Sequence, residues 1–421
     1  MKVLLSAYSC LPDAGSEQAI GWNWARSIAA SGHNVVVLTR VTHRQRIETF
    51  CAKHECGPVR FAYFDLSAAL QKIYKLPFGN YLYYTMWQKG AAQYAAALHQ
   101  SEQFEKVQHI TWGSFRVPSF MGKLGIPFTF GPVAGGEDTP KNLRAGLGWR
   151  GRFWDFLRRT SDHILLISPW VKSTFRDAAE IVATTPETLR KIPGAYRAKG
   201  KVQQAIGIDD ESVGGPARSA TPAKTGTKTV TKTANLELLF VGRLLPWKGL
   251  HLALKALAAV LESDPRIRLT VVGAGYDEPR LKRLARTLKV EQNLSWIPWV
   301  KREDLIEMYP RFDLFVFPSL HDSGGIAVLE ALYFGLPVVC LDLGGPAVSV
   351  NSTCGRVIST AGLRESEVVS EIAGFVKQMR VDPDLRSRLS QRARLRAKEL
   401  TWQAQVNRLY GKGSRVPVEL S

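Results

Sequence analysis

The sequence lacks any apolar run long enough to cross a lipid bilayer. Across 421 residues, 45% of them hydrophobic, no stretch approaches the roughly 18 consecutive apolar residues that a spanning helix needs. Cysteine is also scarce, since the five cysteines, at positions 10, 51, 56, 340 and 354, are an odd number without the spacing of a disulfide framework. The chain is therefore predicted to be globular, to stay out of the bilayer and to work in a reducing compartment, the cytoplasm.

Acidic residues are too few to balance the basic ones. The chain has 56 Lys and Arg against 37 Asp and Glu, which leaves a net charge of +19. Such a charge suits nucleic acid, anionic lipid headgroups or anionic small substrates. No helix-turn-helix, finger or RNA-binding signature combines aromatic with basic residues, so no nucleic-acid partner is expected.

Metal-binding patterns are missing as well. Cys51 and Cys56 in C-A-K-H-E-C lack the second pair of ligands that a zinc site requires. Asp382 and Asp384 are spaced like a metal-binding acid pair, but they precede a basic helical segment, and a helix start explains them. The sequence therefore predicts no metal and no bound cofactor.

Aromatic and basic residues are mixed in two segments of the N-terminal half, K-I-Y-K-L-P-F-G-N-Y-L-Y-Y-T-M-W-Q-K-G (72–90) and G-W-R-G-R-F-W-D-F-L-R-R (148–159). Trp and Tyr flanked by Lys and Arg suit the surface of an anionic membrane. A helix that turns its aromatic residues to the core and its basic residues to solvent fits equally well. Both interpretations stay open at this stage.

Apolar strand-like runs alternate with helix-like segments in two halves of the chain. They extend from K-V-L-L-S-A-Y to H-I-L-L-I-S-P in the first half, and from L-E-L-L-F-V-G-R-L to G-R-V-I in the second. The opening M-K-V-L-L-S-A-Y is interpreted as a first strand, not a signal peptide, because S-G-H-N-V-V-V-L-T-R follows at β-α-β distance. Residues 212–233, rich in Thr, Lys, Ala, Gly and Pro, predict a mobile linker. The expected domains are 1–211 and 234–400, and a helix is expected over 401–421.

The segment H-D-S-G-G-I-A-V-L-E-A-L-Y-F-G-L-P-V-V (321–339) predicts a turn and a helix between two buried strands. Adjacent glycines at such a turn let backbone N–H groups approach an anion, and the helix start adds the positive end of its dipole. Asp322 precedes this turn and Glu330 lies further along the helix, where both carboxylates can bind hydroxyl groups. The residues of the expected anion site are Ser323, Gly324, Gly325 and Ile326.

More glycine turns follow other strand-like runs of the same half. In V-G-R-L-L-P-W-K-G-L, Arg243 and Lys248 predict a clamp for a diphosphate, with Arg as a fork of donors and Lys as a movable charge. Because the carboxyl ends of parallel strands meet at one edge of a sheet, the turns are expected to converge on one crevice. Their glycines are Gly242, Gly273, Gly275, Gly344 and Gly345.

As a set, these motifs resemble the C-terminal domain of retaining glycosyltransferases of family 4. The matching features are Arg243 with Lys248, the G-x-G at 273–275, P-S-x3-S-G-G and L-E-A-L within 318–332, and G-G-P at 344–346. Residues 2–39 also match that family's N-terminal strand, glycine loop, helix and second strand, so the resemblance covers nearly the whole chain. It implies an α/β chain with the GT-B fold, in which two Rossmann-like domains face each other across a cleft and the C-terminal helix crosses back to the N-terminal domain.

The resemblance implies a nucleotide-sugar donor. Its ribose hydroxyls would bind Glu330, and its sugar hydroxyls and phosphate would bind Asp322 and the glycine turn. Arg243 and Lys248 would stabilise charge on the departing diphosphate during transfer with retention of configuration, without a metal. Asp322 stands where family members commonly carry the longer Glu, so the donor sugar stays open.

The acceptor is expected in the N-terminal half. Family members often have a histidine in the loop that here reads F-G-P-V-A-G-G-E-D-T-P (130–140). Glu137 is therefore expected to contact the sugar or the acceptor, and His109 is either a site residue or a buried histidine. Further residues precede a helix, where an acceptor phosphate or hydroxyl can dock. They are Gly15, Ser16 and Glu17.

Chains with G-S-E-x3-G-W and H-D-S-G-G are associated with cell-surface polysaccharide assembly. This resemblance implies a saccharide acceptor, lipid-linked, at the cytoplasmic face of the membrane. Two other functions stay open: a nucleotide-sugar 2-epimerase with the same fold, and a catalytically inactive protein that binds nucleotide sugars. Intact Arg243, Lys248 and Glu330 argue against the inactive protein.

Overall fold

The computed structural model describes residues 1–54, 56–76, 79–214 and 235–411. They form two compact units. The first unit contains Met1–Gly136, Arg159–Ile206 and the chain from Trp402, and the second contains Glu137–Arg158 and Gly207–Thr401.

The first unit is built on a seven-stranded parallel sheet. The strands are β1 Lys2–Ala7, β2 Asn34–Thr39, β3 Val59–Tyr63, β4 Lys106–Thr111, β5 Phe128–Val133, β6 Glu180–Ala183 and β7 Gly200–Val202. Their order in the sheet is β3-β2-β1-β4-β5-β6-β7, so the opening segment is a central strand, with Val3 opposite Val35 on one side and Lys106 on the other. Strand β1 is buried from Val3 to Ala7, which explains why its sequence is a continuous apolar run.

The helices that precede the second sheet are numbered in chain order. They are α1 Ser16–Ala30, α2 Arg44–Cys51, α3 Ala68–Gln71, α4 Gly79–Glu102, α5 Gly148–Ile167, α6 Pro169–Asp177, α7 Pro186–Lys191 and α8 Gly194–Arg197. Helix α5 begins in the second unit and continues in the first after Arg158.

The second unit is built on a six-stranded parallel sheet. The strands are β8 Leu236–Val241, β9 Ile267–Val272, β10 Leu294–Ile297, β11 Leu314–Phe317, β12 Val338–Leu341 and β13 Gly355–Ile358. Their order is β10-β9-β8-β11-β12-β13. The helices are α9 Leu250–Leu261, α10 Glu278–Thr287, α11 Arg302–Met308, α12 Ile326–Tyr333, α13 Gly344–Ser349, α14 Glu365–Val381 and α15 Pro383–Glu399.

The last described helix, α16 Trp402–Tyr410, belongs to the first unit, as predicted. It packs against α1 and buries Trp402, Val406 and Leu409 in the same core as Trp24. Polar groups hold it as well, since the Tyr410 hydroxyl donates to Gln108 Oε1 at 2.5 Å. The helix returns because its apolar face needs a partner surface, and the core of the first unit supplies one.

The segment 137–158 lies elsewhere than the sequence predicts. It was expected within the first domain, 1–211, but the structure places it in the second unit, together with residues 207–211. Asn142 Nδ2 donates to the Thr360 carbonyl at 3.0 Å, and Arg280 Nη1 donates to the Gly146 carbonyl at 3.0 Å. Within the expected linker, residues 215–233 lie outside the described residues, as do residues 412–421 of the expected final segment.

The structure pairs two cysteines that the sequence analysis did not expect to form a disulfide. Cys51 and Cys56 form a disulfide, because helix α2 ends at Cys51 and the turn after it brings the two Cα atoms to 5.4 Å. Cys10, Cys340 and Cys354 are free and buried. The prediction of a reducing compartment, which rested on an odd number of cysteines without the spacing of a disulfide framework, loses support because two of them are paired. Within the described part of the chain, no helix has both the length and the apolar character to cross a membrane.

The packing of α16 leads to a stability prediction. Leu409→Ala removes a side chain that is 5% exposed in the core of the first unit, and we expect it to lower the free energy of unfolding by about 2–5 kcal/mol. Leu395→Ala on α15 is the matched control, because Leu395 is 48% exposed. Urea unfolding followed by circular dichroism measures both variants, and equal losses would contradict the docking of α16.

Candidate active site

Four loops lie side by side at the carboxyl edge of the second sheet. The loop after β8 is joined to the loop after β9, since the Leu244 N–H donates to the Ala274 carbonyl at 2.9 Å. Backbone bonds join the loop after β11 to its neighbours on both sides. They are Leu320 N–H to the Trp247 carbonyl at 2.8 Å, and Gly345 N–H to the Asp322 carbonyl at 2.7 Å. The structure thus brings together the glycine turns that the sequence expects to converge.

Two of these contacts leave no space for a side chain. A Cβ on Gly273, whose φ is +140°, would lie 2.0 Å from the carbonyl oxygen of Gly242. A Cβ on Gly345 would lie 2.5 Å from the carbonyl oxygen of Gly324. Glycine is therefore required at both positions for the loops to pack back to back.

The two cations of the expected clamp have different surroundings. Arg243 is exposed, whereas Lys248 is largely buried and contacts the carboxylate of Asp322 through its Nζ. The other oxygen of that carboxylate, Oδ1, accepts a bond from the Gly324 N–H at 3.3 Å. The sequence assigns Lys248 to a diphosphate and Asp322 to a sugar, but the structure also pairs the two residues with each other.

The glycine turn leads directly into helix α12. Gly325 precedes the helix in the left-handed conformation, with φ of +78°, and Ile326 is the first helical residue. The hydroxyl of Ser323 donates to Glu137 Oε2 at 3.0 Å. Glu137 is buried and belongs to the second unit, so it lies beside the expected anion turn and not in the first domain, where the sequence placed it. The reason is that the whole segment 137–158 packs on the second unit.

Glu330 is buried in helix α12 and has two neighbours that sequence reasoning did not identify. The hydroxyl of Tyr309 donates to Glu330 Oε2 at 2.7 Å, and Arg302 Nη1 lies 2.7 Å from Oε1. Tyr309 follows α11 and Arg302 begins it. Neither belongs to a motif, and both come from the helical connection between β10 and β11, so no local signal in the sequence pointed to them.

The residues expected on the acceptor side lie in the first unit, except Glu137. Gly15 is exposed and precedes α1, which begins at Ser16. Glu17 Oε2 accepts a bond from the Trp112 N–H at 3.1 Å, and burial raises the pKa of its carboxyl group. The carboxylate of Glu17 is thus bound to the backbone just after β4.

His109 lies inside the core of the first unit, on β4. Its Nε2 is 3.3 Å from the hydroxyl of Tyr84, which is also fully buried. Burial lowers the pKa of His109 to about 4, so the ring is neutral near pH 7. Of the two interpretations open at the level of sequence, the structure favours the buried histidine.

Comparisons with known proteins give the following matches. Residues 226–396 match the family described as Glycosyl transferases group 1. The D-inositol 3-phosphate glycosyltransferases of Geodermatophilus obscurus and Saccharomonospora viridis are 32% and 29% identical to this chain over 244 and 245 residues. Both alignments cover 55% of this chain, and they cover 52% and 54% of the relatives. The chain thus spans about half the length of these curated relatives.

Solved structures match over nearly the whole chain. WaaG, a glycosyltransferase involved in lipopolysaccharide biosynthesis, is 19% identical with a TM-score of 0.56, over 97% of this chain and 100% of its own. Anabaena Alr3699/HepE, solved with UDP and glucose, is 15% identical with a TM-score of 0.55, over 97% of this chain and 98% of its own. At such identities the likeness concerns the fold alone. Residues 226–396 therefore match the model of the group 1 glycosyl transferase family, and the chain has the GT-B fold, with two Rossmann-like units that each contain a parallel sheet.

Proposed function

We propose that the protein is a retaining glycosyltransferase that moves a sugar from a nucleoside-diphosphate sugar to a saccharide acceptor. The observation that carries this proposal is the carboxyl edge of the second sheet, where four loops meet. This edge combines Arg243, Lys248, the Ser323–Gly325 turn and two acids, Asp322 and Glu330. Cations and N–H groups suit a diphosphate, and carboxylates suit the hydroxyls of a sugar and a ribose.

The proposed reaction breaks the bond between the anomeric carbon of the donor sugar and the diphosphate oxygen. The acceptor hydroxyl forms the new bond on the same face, and its proton passes to the departing diphosphate. Arg243, Lys248 and the N–H groups before α12 stabilise the charge that develops on the leaving group. Because these groups supply positive charge themselves, we propose that the reaction needs neither a metal nor a cofactor.

Arg243 provides the first test of this mechanism. We expect Arg243→Ala to lower the turnover number roughly 100-fold, the usual cost of removing one donor that stabilises transition-state charge. Arg268→Ala is the matched control, because Arg268 is exposed on β9 of the same unit. Single-turnover sugar transfer is measured with and without EDTA. A normal rate in Arg243→Ala would contradict the clamp, and a rate abolished by EDTA would contradict metal independence.

Asp322 provides the second test, because its carboxylate is already paired with Lys248. Asp322→Asn keeps the shape of the side chain but loses the charged acceptor. Turnover should fall roughly 10- to 100-fold, which corresponds to one charge-assisted hydrogen bond of about 1.5–3 kcal/mol. Affinity for the nucleoside diphosphate should persist, because Lys248 and Glu330 remain. Calorimetry and single-turnover transfer measure the two quantities.

Two outcomes separate the roles of Asp322. Asp322→Glu restores a carboxylate with longer reach, so it should transfer sugar better than Asp322→Asn. Normal transfer by Asp322→Asn would leave Asp322 with its contacts to Lys248 and to the Gly324 N–H, and its proposed contact with the donor sugar would be wrong.

For the acceptor, we propose a lipid-linked saccharide in the assembly of a cell-surface polysaccharide, at the inner face of the membrane. D-inositol 3-phosphate is the competing acceptor, because the relatives named above carry it in their names. Incubation with donor alone distinguishes the other functions, since an epimerase converts the free nucleotide sugar and an inactive binding protein leaves it unchanged.

Helix α5 supports the proposed membrane contact because its aromatic residues face outward. In the part that belongs to the second unit, four aromatic side chains are more than half exposed. They are Trp149 at 70%, Phe153 at 53%, Trp154 at 57% and Phe156 at 62%. Arg150 and Arg152 are exposed among them. Aromatic residues flanked by arginines suit an anionic lipid surface.

The inward face of the same helix is charged. Asp155 is buried and pairs with Arg144 at 3.4 Å and with Arg158 at 3.3 Å, while Arg158 also reaches Asp138 at 2.8 Å. The segment 72–90 is divided: Tyr83, Tyr84 and Trp87 of α4 are core residues, whereas Tyr81 and Leu82 are more than half exposed. The proposed membrane contact therefore rests on α5, and the alternative of a core-facing helix holds for the three core residues of α4.

A vesicle experiment tests this contact. Binding to vesicles of phosphatidylglycerol and phosphatidylcholine should exceed binding to phosphatidylcholine alone, and it should weaken with salt, since exposed charges are screened over about 8 Å at physiological ionic strength. The double variant Phe153→Ser with Phe156→Ser should lose most of this binding. Trp299→Ser removes an aromatic that is 73% exposed outside α5, and it serves as the control. Equal recovery of wild type with both vesicle types would contradict the proposal.

A further inference from the structure

The buried carboxylate of Glu330 is held from one side by Tyr309. The phenol hydroxyl donates to Oε2 at 2.7 Å, and neither side chain has appreciable contact with solvent. The ring of Tyr309 is stacked on Phe334 at a centroid distance of 5.7 Å and an interplanar angle of 11°. Because packing fixes this ring, the hydroxyl is a stationary donor that determines how the carboxylate is rotated.

The second carboxylate oxygen of Glu330, Oε1, lacks the hydrogen bond that Oε2 has. Oε1 is buried and accepts no hydrogen bond from any residue that the structure describes. Arg302 Nη1 lies 2.7 Å away, within ion-pair distance, but its direction is not that of a hydrogen bond. The Arg302 side chain is 48% exposed, and its Nη2 donates to the Ser212 carbonyl at 2.8 Å. A buried acceptor without a hydrogen bond is costly, so this oxygen needs a donor.

We infer that Tyr309 is a positioning residue, which occupies Oε2 so that Oε1 is presented to a ribose hydroxyl of the nucleotide, and that Arg302 covers Oε1 until the nucleotide replaces it. This inference rests on the proposed function, in which the carboxyl edge of the second sheet binds a nucleoside diphosphate. A ribose hydroxyl supplies the hydrogen bond that Oε1 lacks. Arg302 can leave because its side chain is long and half exposed, whereas Tyr309 is locked in the core.

The two neighbours of Glu330 should therefore have opposite effects on nucleotide affinity. Without the Tyr309 hydroxyl, the carboxylate is free to turn Oε2 toward other donors, and the nucleotide loses its preformed acceptor. Without the Arg302 guanidinium, the nucleotide has no competitor for Oε1. If the role of Tyr309 were only structural, loss of its hydroxyl would change the stability of the protein but not its preference for a nucleotide that carries the ribose hydroxyl.

The experiment measures the ratio of affinities for a ribonucleotide and its deoxy analogue. UDP, GDP and ADP are screened by calorimetry, and the tightest binder is compared with its 2′-deoxy and 3′-deoxy forms. Wild type should prefer the ribonucleotide over at least one deoxy form by about tenfold or more, as expected for a hydrogen bond to a charged group. Tyr309→Phe should weaken ribonucleotide binding about tenfold and reduce this preference to within about twofold.

Two further variants complete the test. Tyr333→Phe is the matched control, because its hydroxyl donates to Asp210 at 2.5 Å from the same helix as Glu330, and it should keep the wild-type preference. Arg302→Met keeps most of the aliphatic chain and should raise ribonucleotide affinity a few-fold. Circular dichroism establishes that each variant is folded.

The outcomes separate this inference from the proposed function. An unchanged ribose preference in folded Tyr309→Phe would overturn the positioning role and leave the proposed function intact. Weaker ribonucleotide binding by Arg302→Met would overturn the covering role, since Arg302 would then be a nucleotide ligand. A wild-type protein that binds nucleotide without a ribose preference would overturn the inference alone. Failure of wild type to bind any of the three nucleotides would overturn both.

Discussion

The approach of Gly273 to the carbonyl of Gly242 sets the spacing on which the rest of the site depends. A Cβ at this position would meet that oxygen at 2.0 Å, so any other residue would push the loops after β8 and β9 apart. Backbone bonds from Leu320 and Gly345 then extend the same layer across β11 and β12. Since the loops are joined by backbone bonds, the side chains that extend from them start from fixed positions along one edge of the sheet.

Within this rigid layer, each acid that is expected to bind a hydroxyl is neutralised by a cation. Asp322 contacts Lys248, and Glu330 lies against Arg302. An unpaired carboxylate at so little solvent exposure would be costly, which explains why each acid has a counterion from the protein itself. Both counterions sit on long side chains, so either can move away from its carboxylate without a shift of the backbone.

The segment 137–158 links the site with the outward-facing helix. Its first residues carry Glu137 to the hydroxyl of Ser323, and its last form the charged inner face of α5 around Asp155. Burying the acids of a helix requires arginines at fixed positions, and Arg144 and Arg158 provide them. Because the face of α5 that carries Asp155 packs against these arginines, the aromatic residues on its other face are exposed to solvent.

The sequence by itself determined the features that depend on local pattern: the parallel strands from continuous apolar runs, the glycine turns after them, the convergence of the loops that follow β8, β9, β11 and β12, and the GT-B fold through the family resemblance. The tertiary structure alone decided which distant groups meet. It placed Tyr309 and Arg302 on Glu330, Glu137 on Ser323, His109 in the core and Cys51 on Cys56. The physical reason is that strand ends of a parallel sheet share an edge whatever loops join them, whereas a side chain brought in by a loop finds its partner only through the packing of the whole unit.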